Sequence, residues 1–218
     1  MLLAIDTATR TAGLALYDQD GLHLEQMWRT CDNHTVELMP HIVRACDQQG
    51  LPPQALRVIA VSLGPGSFTG LRVGLSVAKG LALALGTPLI GVPTLDATAY
   101  AHSRETLPVC AVLQAGRQRL CVGFYRAVSG TWKRRSDYLL MSPHDLAVSL
   151  TEPTLLCGEI DGHLVKALRT SGPNQVIVAD PAFSMRRAGY LAELAWKRFT
   201  SDECDDPISL TPIYLQHS

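Results

Sequence analysis

No apolar run in this 218-residue chain reaches the roughly 20 residues of a membrane-crossing helix; the longest, near residues 75–85, is interrupted by Lys79 and Gly80. Charge of either sign is scarce. Charged residues make up 18%, and 19 basic side chains against 20 acidic ones leave a formal net charge of -1. A protein that gripped RNA by itself would carry a basic excess, because phosphate neutralisation dominates such affinity, so any role in RNA chemistry is expected to run through a partner. Paired thiols are missing too: the cysteines at 31, 46, 110, 121, 157 and 204 form no Cys-x-x-Cys. They read as reduced residues packed as small hydrophobes in a cytoplasmic protein. What is present is a hydrophobic content of 47%, enough for a folded core and too high for a disordered chain. The opening Met1-Leu2-Leu3-Ala4-Ile5-Asp6 is a short apolar run ending on a carboxylate, which reads as a strand and not as an export signal.

Strand and helix periods alternate in a repeated order. Residues 2–6, 12–17 and 22–28 read as strands of an antiparallel meander, with Asp18-Gln19-Asp20-Gly21 as a turn. An amphipathic helix follows over 34–49, with Val36, Met39, Ile42, Val43 and Cys46 on one face, Asp32 or Asn33 as cap and Gly50 as stop. Pro40 inside it predicts a kink or a late start. A strand at 57–63, a helix at 71–85, a strand at 89–92 and a helix at 94–102 complete the half. The second half repeats this with strands at 109–113, 120–126 and 131–140, a helix opening at Ser142-Pro143, a strand at 155–158, a helix at 162–170, a strand at 176–179 and a helix at 185–199. Two β-β-β-α-β-α-β-α units in tandem, 1–103 and a reduced copy at 104–218, predict a duplicated α/β protein of the actin, Hsp70 and sugar-kinase architecture. Architecture by itself does not fix function.

Gly64-Pro65-Gly66-Ser67-Phe68-Thr69-Gly70 is the segment richest in chemical meaning. A strand-to-helix turn of this kind aims free N–H groups outward and suits an anion; a tight turn with Ser67 as helix cap needs the same residues. It is not a P-loop, for no lysine follows, and not a nucleophile elbow, for Pro65 and Thr69 flank Ser67 where glycines are required. Asp6, Thr7 and Thr9 end the first strand where actin-like proteins meet phosphate and magnesium, and a hydrogen-bonded turn would again need the same side chains. Asp6, Thr7, Thr9, Gly64, Gly66 and Ser67 are therefore the candidate nucleotide contacts. In the helix after the loop, Gly70, Gly74, Ala78 and Ala82 form a ridge of small residues, fit for the sheet beneath or for a neighbouring subunit. His34 and His41 are seven apart, too far to share one metal ion. Lys133-Arg134-Arg135 and Arg186-Arg187 read as solvated charge. No catalytic constellation and no metal set can be argued from spacing.

Four stretches together resemble the TsaB (YeaZ) family: Leu3-Ala4-Ile5-Asp6-Thr7-Ala8-Thr9; His34-Thr35-Val36-Glu37-Leu38-Met39-Pro40-His41-Ile42; the run from Ile59 through Gly64-Pro65-Gly66-Ser67-Phe68-Thr69-Gly70 to Gly74; and Ala78-Lys79-Gly80-Leu81-Ala82. The likeness is firm over the first hundred residues and looser beyond, through Cys157-Gly158, Pro181-Ala182 and Pro212-Ile213-Tyr214-Leu215. It implies a non-catalytic subunit with an actin-like fold that pairs with the related, metal-carrying TsaD, is joined by the ATPase TsaE, and works beside TsaC in making threonylcarbamoyladenosine in tRNA. It also implies a homodimer when alone, tRNA met only through the complex, and a pairing surface on the first-domain helices. Val36, Met39, Ile42, Val43, Leu71, Gly74, Leu75 and Ala78 are its interface candidates, and any nucleotide would sit at a subunit boundary. An ATP-using enzyme of the same architecture is the alternative, with a metallopeptidase-like hydrolase behind it. Gln114-Ala115-Gly116, where the family often has Asp-Ala-Arg, Gln216 in place of Arg, and Ala8 in place of Ser are departures.

Overall fold

The structure is a computed structural model that describes residues 1–30, 34–116, 118–128, 131–171 and 176–215. It divides into two compact units: Met1–Ala97 with Arg187–Ile213, and Thr98–Arg186 with Tyr214–Ser218.

The first unit is built on β1 (Leu2–Asp6), β2 (Thr11–Asp18), β3 (Gly21–Arg29), β4 (Val58–Gly64) and β5 (Leu89–Pro93), in the order β3-β2-β1-β4-β5. The meander is antiparallel, and β4 and β5 join in parallel. Every residue of β1 and β4 is buried, as continuous apolar runs covered on both faces require. Alternation sorts β1 cleanly. Leu3 and Ile5 enter a cluster with Leu38 and Ile42 of α1 (His34–Gln48) and Leu75 and Ala78 of α2 (Phe68–Leu85). Leu2 and Ala4 enter the opposite one, with Ala188, Leu191, Ala192 and Ala195 of α6 (Ala188–Thr200). The small residues of α6 let it lie close to the sheet.

Turn and cap chemistry follows the sequence. Gly21 takes a φ of 112° between β2 and β3, and the Asp18 carboxylate accepts from the Asp20 amide at 2.9 Å. Helix α1 runs through Pro40 from His34, so the late start is not seen; its proposed caps Asp32 and Asn33 lie outside the described residues. It ends where Gly50, at φ 58°, donates to Asp47 and Leu51 donates to Cys46, the paired bonds of a Schellman motif. The Trp28 indole of β3 donates to Glu37 at 3.2 Å and stacks on the His41 ring with centroids 4.0 Å apart, which pins α1 to the sheet.

The second unit holds β6 (Val109–Gln114), β7 (Leu120–Val128), β8 (Thr131–Arg134), β9 (Leu139–Met141), β10 (Thr154–Gly158) and β11 (Val176–Val178). Its order is β11-β10-β6-β7-β8, with β9 also on β7. Matched strand for strand, this is the arrangement of the first unit, so the duplicated α/β reading holds. The continuous strand expected over 131–140 is instead two short strands. Both pair with β7 in different registers, Val128 with Thr131 and Cys121 with Leu140, and no single straight segment satisfies both. Helix α3 (Thr94–Tyr100) precedes this sheet in the chain, while α4 (Pro143–Ser149) and α5 (Gly162–Ser171) lie on it. Ser142 and Asp145 close a full capping box on α4.

Helix α6 starts at Ala188, not at 185, and Glu25 of β3 explains why. Its carboxylate accepts from the Gly189 amide at 2.7 Å and from the Arg187 guanidinium, filling the place of the missing N-cap side chain. The Glu25 side chain is 11% exposed, whereas Arg126–Glu152 is a pair 43% and 49% exposed. Glu25→Ala is therefore expected to cost about 1.5–3 kcal/mol, and Glu152→Ala under about 1 kcal/mol, measured as urea midpoints of the two variants.

Candidate functional site

The loop between β4 and α2 and the turn after β1 carry all six candidate nucleotide contacts, and the structure brings them together. Ser67 caps α2 through its hydroxyl, which accepts from the Gly70 amide at 3.2 Å. Its own amide donates to the Ala8 carbonyl at 2.6 Å. Thr7, wholly buried, donates its hydroxyl to the Gly70 carbonyl at 2.7 Å and its amide to the Ser62 hydroxyl at 3.3 Å. Asp6 is 2% exposed and accepts from the Ala8 amide at 3.0 Å. Thr9 accepts from the Thr11 amide at 3.3 Å. The loop and the turn are thus sewn to each other, so several groups that could have met a phosphate already have partners within the unit.

Glycine makes this closure possible. A Cβ on Gly66 would run into the Ala8 carbonyl, and one on Gly74 into the Thr7 hydroxyl. Gly64 has a φ of 103°, in the region that L side chains rarely adopt. The ridge of Gly70, Gly74, Ala78 and Ala82 is buried and turned inward. Of the interface candidates, Ile42, Leu71, Gly74, Leu75 and Ala78 are buried in this unit's own core, the last four in α2. Val36, Met39 and Val43 are 74%, 39% and 53% exposed and lie on one stripe of α1.

Sequence patterning alone missed the outer face of α2. Arg72, Ser76, Gly80 and Leu83 are exposed along it, Leu83 by 85%. Gly80 sits in mid-helix, and a Cβ there would meet open space. A spacing of three and four, begun at Arg72 in place of Gly70, would have found it. Helix α2 is also longer than the stretch marked in the sequence, and by length and composition alone it is apolar enough to cross a membrane. Its packed face against β1 and β4 makes it a core helix.

Nothing else in the described residues assembles a reaction centre. No group of three or more His, Cys, Asp or Glu side chains that could hold a metal ion occurs among them. His41 is taken up by Trp28; the His34 side chain lies outside the described set. Cys110, Cys121 and Cys157 are buried, and desolvation pushes Cys121 up to about 11 and Cys157 up to about 12, so neither is a thiolate near neutral pH.

Comparison with known proteins decides the family. Residues 29–161, more than half of the chain, match the family model described as TsaD: tRNA N6-adenosine threonylcarbamoyltransferase. The tRNA threonylcarbamoyladenosine biosynthesis protein TsaB of Bacillus subtilis is 33% identical over 129 residues, covering 59% of this chain and 56% of its own length. TsaB of Escherichia coli is 32% identical over 147 residues, covering 65% and 62%. The chain belongs to the TsaB (YeaZ) family. The matched stretches span less than two thirds of either TsaB relative. A crystal structure from Pseudomonas aeruginosa, of a protein described as similar to peptidase YEAZ, superposes with a TM-score of 0.84 at 26% identity and covers 99% of both chains.

The Thr7–Gly74 contact supplies a test of the closed loop. Gly74→Ala is expected to destabilise by about 1–3 kcal/mol through overpacking. Thr7→Ala removes the obstructing hydroxyl, so the double variant should lose clearly less than the sum of the two singles, measured by denaturant midpoints. Strict additivity would mean that the two residues do not touch.

Proposed function

We propose that this chain is a non-catalytic scaffold that pairs with TsaD and activates it for N6-threonylcarbamoyladenosine formation at position 37 of tRNA. Membership of the TsaB family supports the pathway. The observation that carries the pairing is exposed surface on two helices of the first unit: Val36, Met39 and Val43 along one stripe of α1, and on α2 a mid-helix glycine with open space above it. A glycine there costs about 1 kcal/mol of helix stability relative to alanine. No contact among the described residues repays that, whereas a partner helix lying against the bare backbone would. Free of its partner, the chain forms a homodimer through the same face. The ATPase TsaE joins the pair, TsaC supplies the activated donor, and tRNA reaches the chain as part of the complex.

The nucleotide-using alternative has less to stand on, because the Ser67 amide and the Thr7 hydroxyl are already spent on Ala8 and Gly70. Magnesium-ATP turnover by the isolated chain would revive it.

Light scattering coupled to size exclusion, on the chain alone and mixed with TsaD, tests the pairing. The expected result is a dimer that becomes a heterodimer on mixing. Met39→Asp with Val43→Asp should abolish both without lowering the thermal midpoint. Gly80→Ala separates association from folding: it should raise monomer stability by about 0.5–1 kcal/mol while weakening association. If Gly80→Ala associates as tightly as the parent, the face is not a site of close helix approach.

A further inference from the structure

The β7–β8 hairpin of the second unit carries a feature that pairing through the first unit does not use. Within residues 126–135 there are four basic side chains, Arg126, Lys133, Arg134 and Arg135, and no acidic one, while the rest of the chain is net negative. Strand β8 is the terminal strand of its sheet; Lys133 and Arg134 are exposed on it and Arg135 is exposed immediately after it. The register sets Arg126 directly opposite Lys133, a like-charge pair that weakens a sheet. Arg126 is relieved by Glu152 at 3.0 Å; neither Lys133 nor Arg135 forms an ion pair among the described residues. On the alternate face Trp132 lies flat on the buried Tyr125 ring, centroids 5.8 Å apart and planes 6° from parallel, and Arg134 lies 4.2 Å over the Tyr138 ring.

A single charge suffices to keep a four-residue edge from pairing with another strand. Three consecutive cations, a fourth placed in repulsion across the ladder, and a partly buried indole held from beneath exceed that need. Their chemistry is that of a single-stranded or looped nucleic acid surface, with cations along the phosphates and an aromatic plane for an unstacked base. We propose that this hairpin contacts RNA, taking the sugar–phosphate backbone on Lys133 and Arg135 on one side of the edge strand and, where the RNA crosses that open edge, a base on Trp132 on the other. The choice of RNA over another polyanion rests on the proposed role in tRNA modification. A net charge of -1 fits such a site, because the cations are local and their hold becomes strong when a second protein shares the RNA.

The experiment is fluorescence anisotropy of a labelled tRNA transcript, titrated with the chain alone and with the chain plus TsaD, between ~50 and ~300 mM salt. Lys133→Glu with Arg135→Glu is expected to lower affinity at least tenfold at low salt. It should also make the slope of log K against log salt shallower by about two. Lys133→Gln with Arg135→Gln should act in the same direction and reads the same quantity if charge reversal disturbs the fold. Lys166→Glu, an exposed reversal on α5, should change neither. Variants that still co-elute with TsaD and bind RNA with unchanged affinity and slope would overturn the hairpin proposal while leaving the pairing intact. A chain that fails to pair with TsaD, yet loses RNA affinity on reversal of Lys133 and Arg135, would keep the hairpin and remove the pairing. Absence of RNA binding by the parent chain in both settings overturns the hairpin proposal.

Discussion

Everything in the first unit depends on one close approach: the backbone of α2 at Gly74 resting on the hydroxyl of Thr7. That contact sets the distance from α2 to β1, and through it the depth at which Leu71, Leu75 and Ala78 enter the core. The Thr7 hydroxyl can be buried only because it donates to the Gly70 carbonyl, one turn before the glycine that admits it. Gly66 closes on the Ala8 carbonyl at the same end. Two glycines and a threonine thus convert a strand-to-helix loop that resembles an anion cradle into a packed corner. The same corner fixes how far the outer face of α2 stands from the sheet.

The duplication shows which parts of the corner are architectural. Gly64 at the end of β4 and Gly158 at the end of β10 occupy equivalent places and share a φ of 103°. A Cβ on Gly158 would run into the Val112 carbonyl of the neighbouring strand, so the positive φ belongs to the strand exit in both copies. Beyond the glycine the two copies diverge. The first continues into Pro65-Gly66-Ser67 and a long helix. In the second, the Glu159 carboxylate accepts from the Gln114 amide at 2.9 Å, and the Gln114 side chain donates to the Glu159 carbonyl. Gln114 is the counterpart of Asp6 at the end of the first strand. Here the amide is used to tie β6 to β10, a local role that neither requires nor supplies a negative charge.

The order of elements and several turns and caps were legible because each rests on residues close in sequence: the Asp18–Gly21 turn, the Ser142 cap before Pro143, the glycine after α1. Two things were not. The break of residues 131–140 into two strands depends on where β7 offers partners, and no pattern inside those ten residues encodes that. The division of α1 and α2 between core and surface was the other. Apolar periodicity marks residues that leave water, but not whether they leave it for their own sheet or for another molecule, so Leu71 and Val36 looked alike. Packing separates them: Leu71 has no exposure and Val36 is 74% exposed. Glu25 as the cap of α6 was invisible for a simpler reason, since 164 residues separate it from the Gly189 amide that it accepts.

Helix α2 and strand β8 each carry surface residues that the packing of their own unit does not explain. An amphipathic helix normally turns one apolar stripe inward and keeps a polar face for water. Helix α2 holds only two charged residues, Arg72 and Lys79, in eighteen. Its inner stripe is satisfied by β1 and β4; its outer stripe of Arg72, Ser76, Gly80 and Leu83 leaves Leu83 85% exposed and a glycine bare in mid-helix. The second unit shows the opposite excess, a four-residue edge strand bearing two basic side chains, with a third immediately after it. Neither surplus improves the stability of its own unit: the glycine weakens a helix and the like charges weaken a ladder. Residues kept at a cost to folding are those whose return lies outside the chain, and that cost is the physical ground of both proposals, a protein partner for one surface and a polyanion for the other.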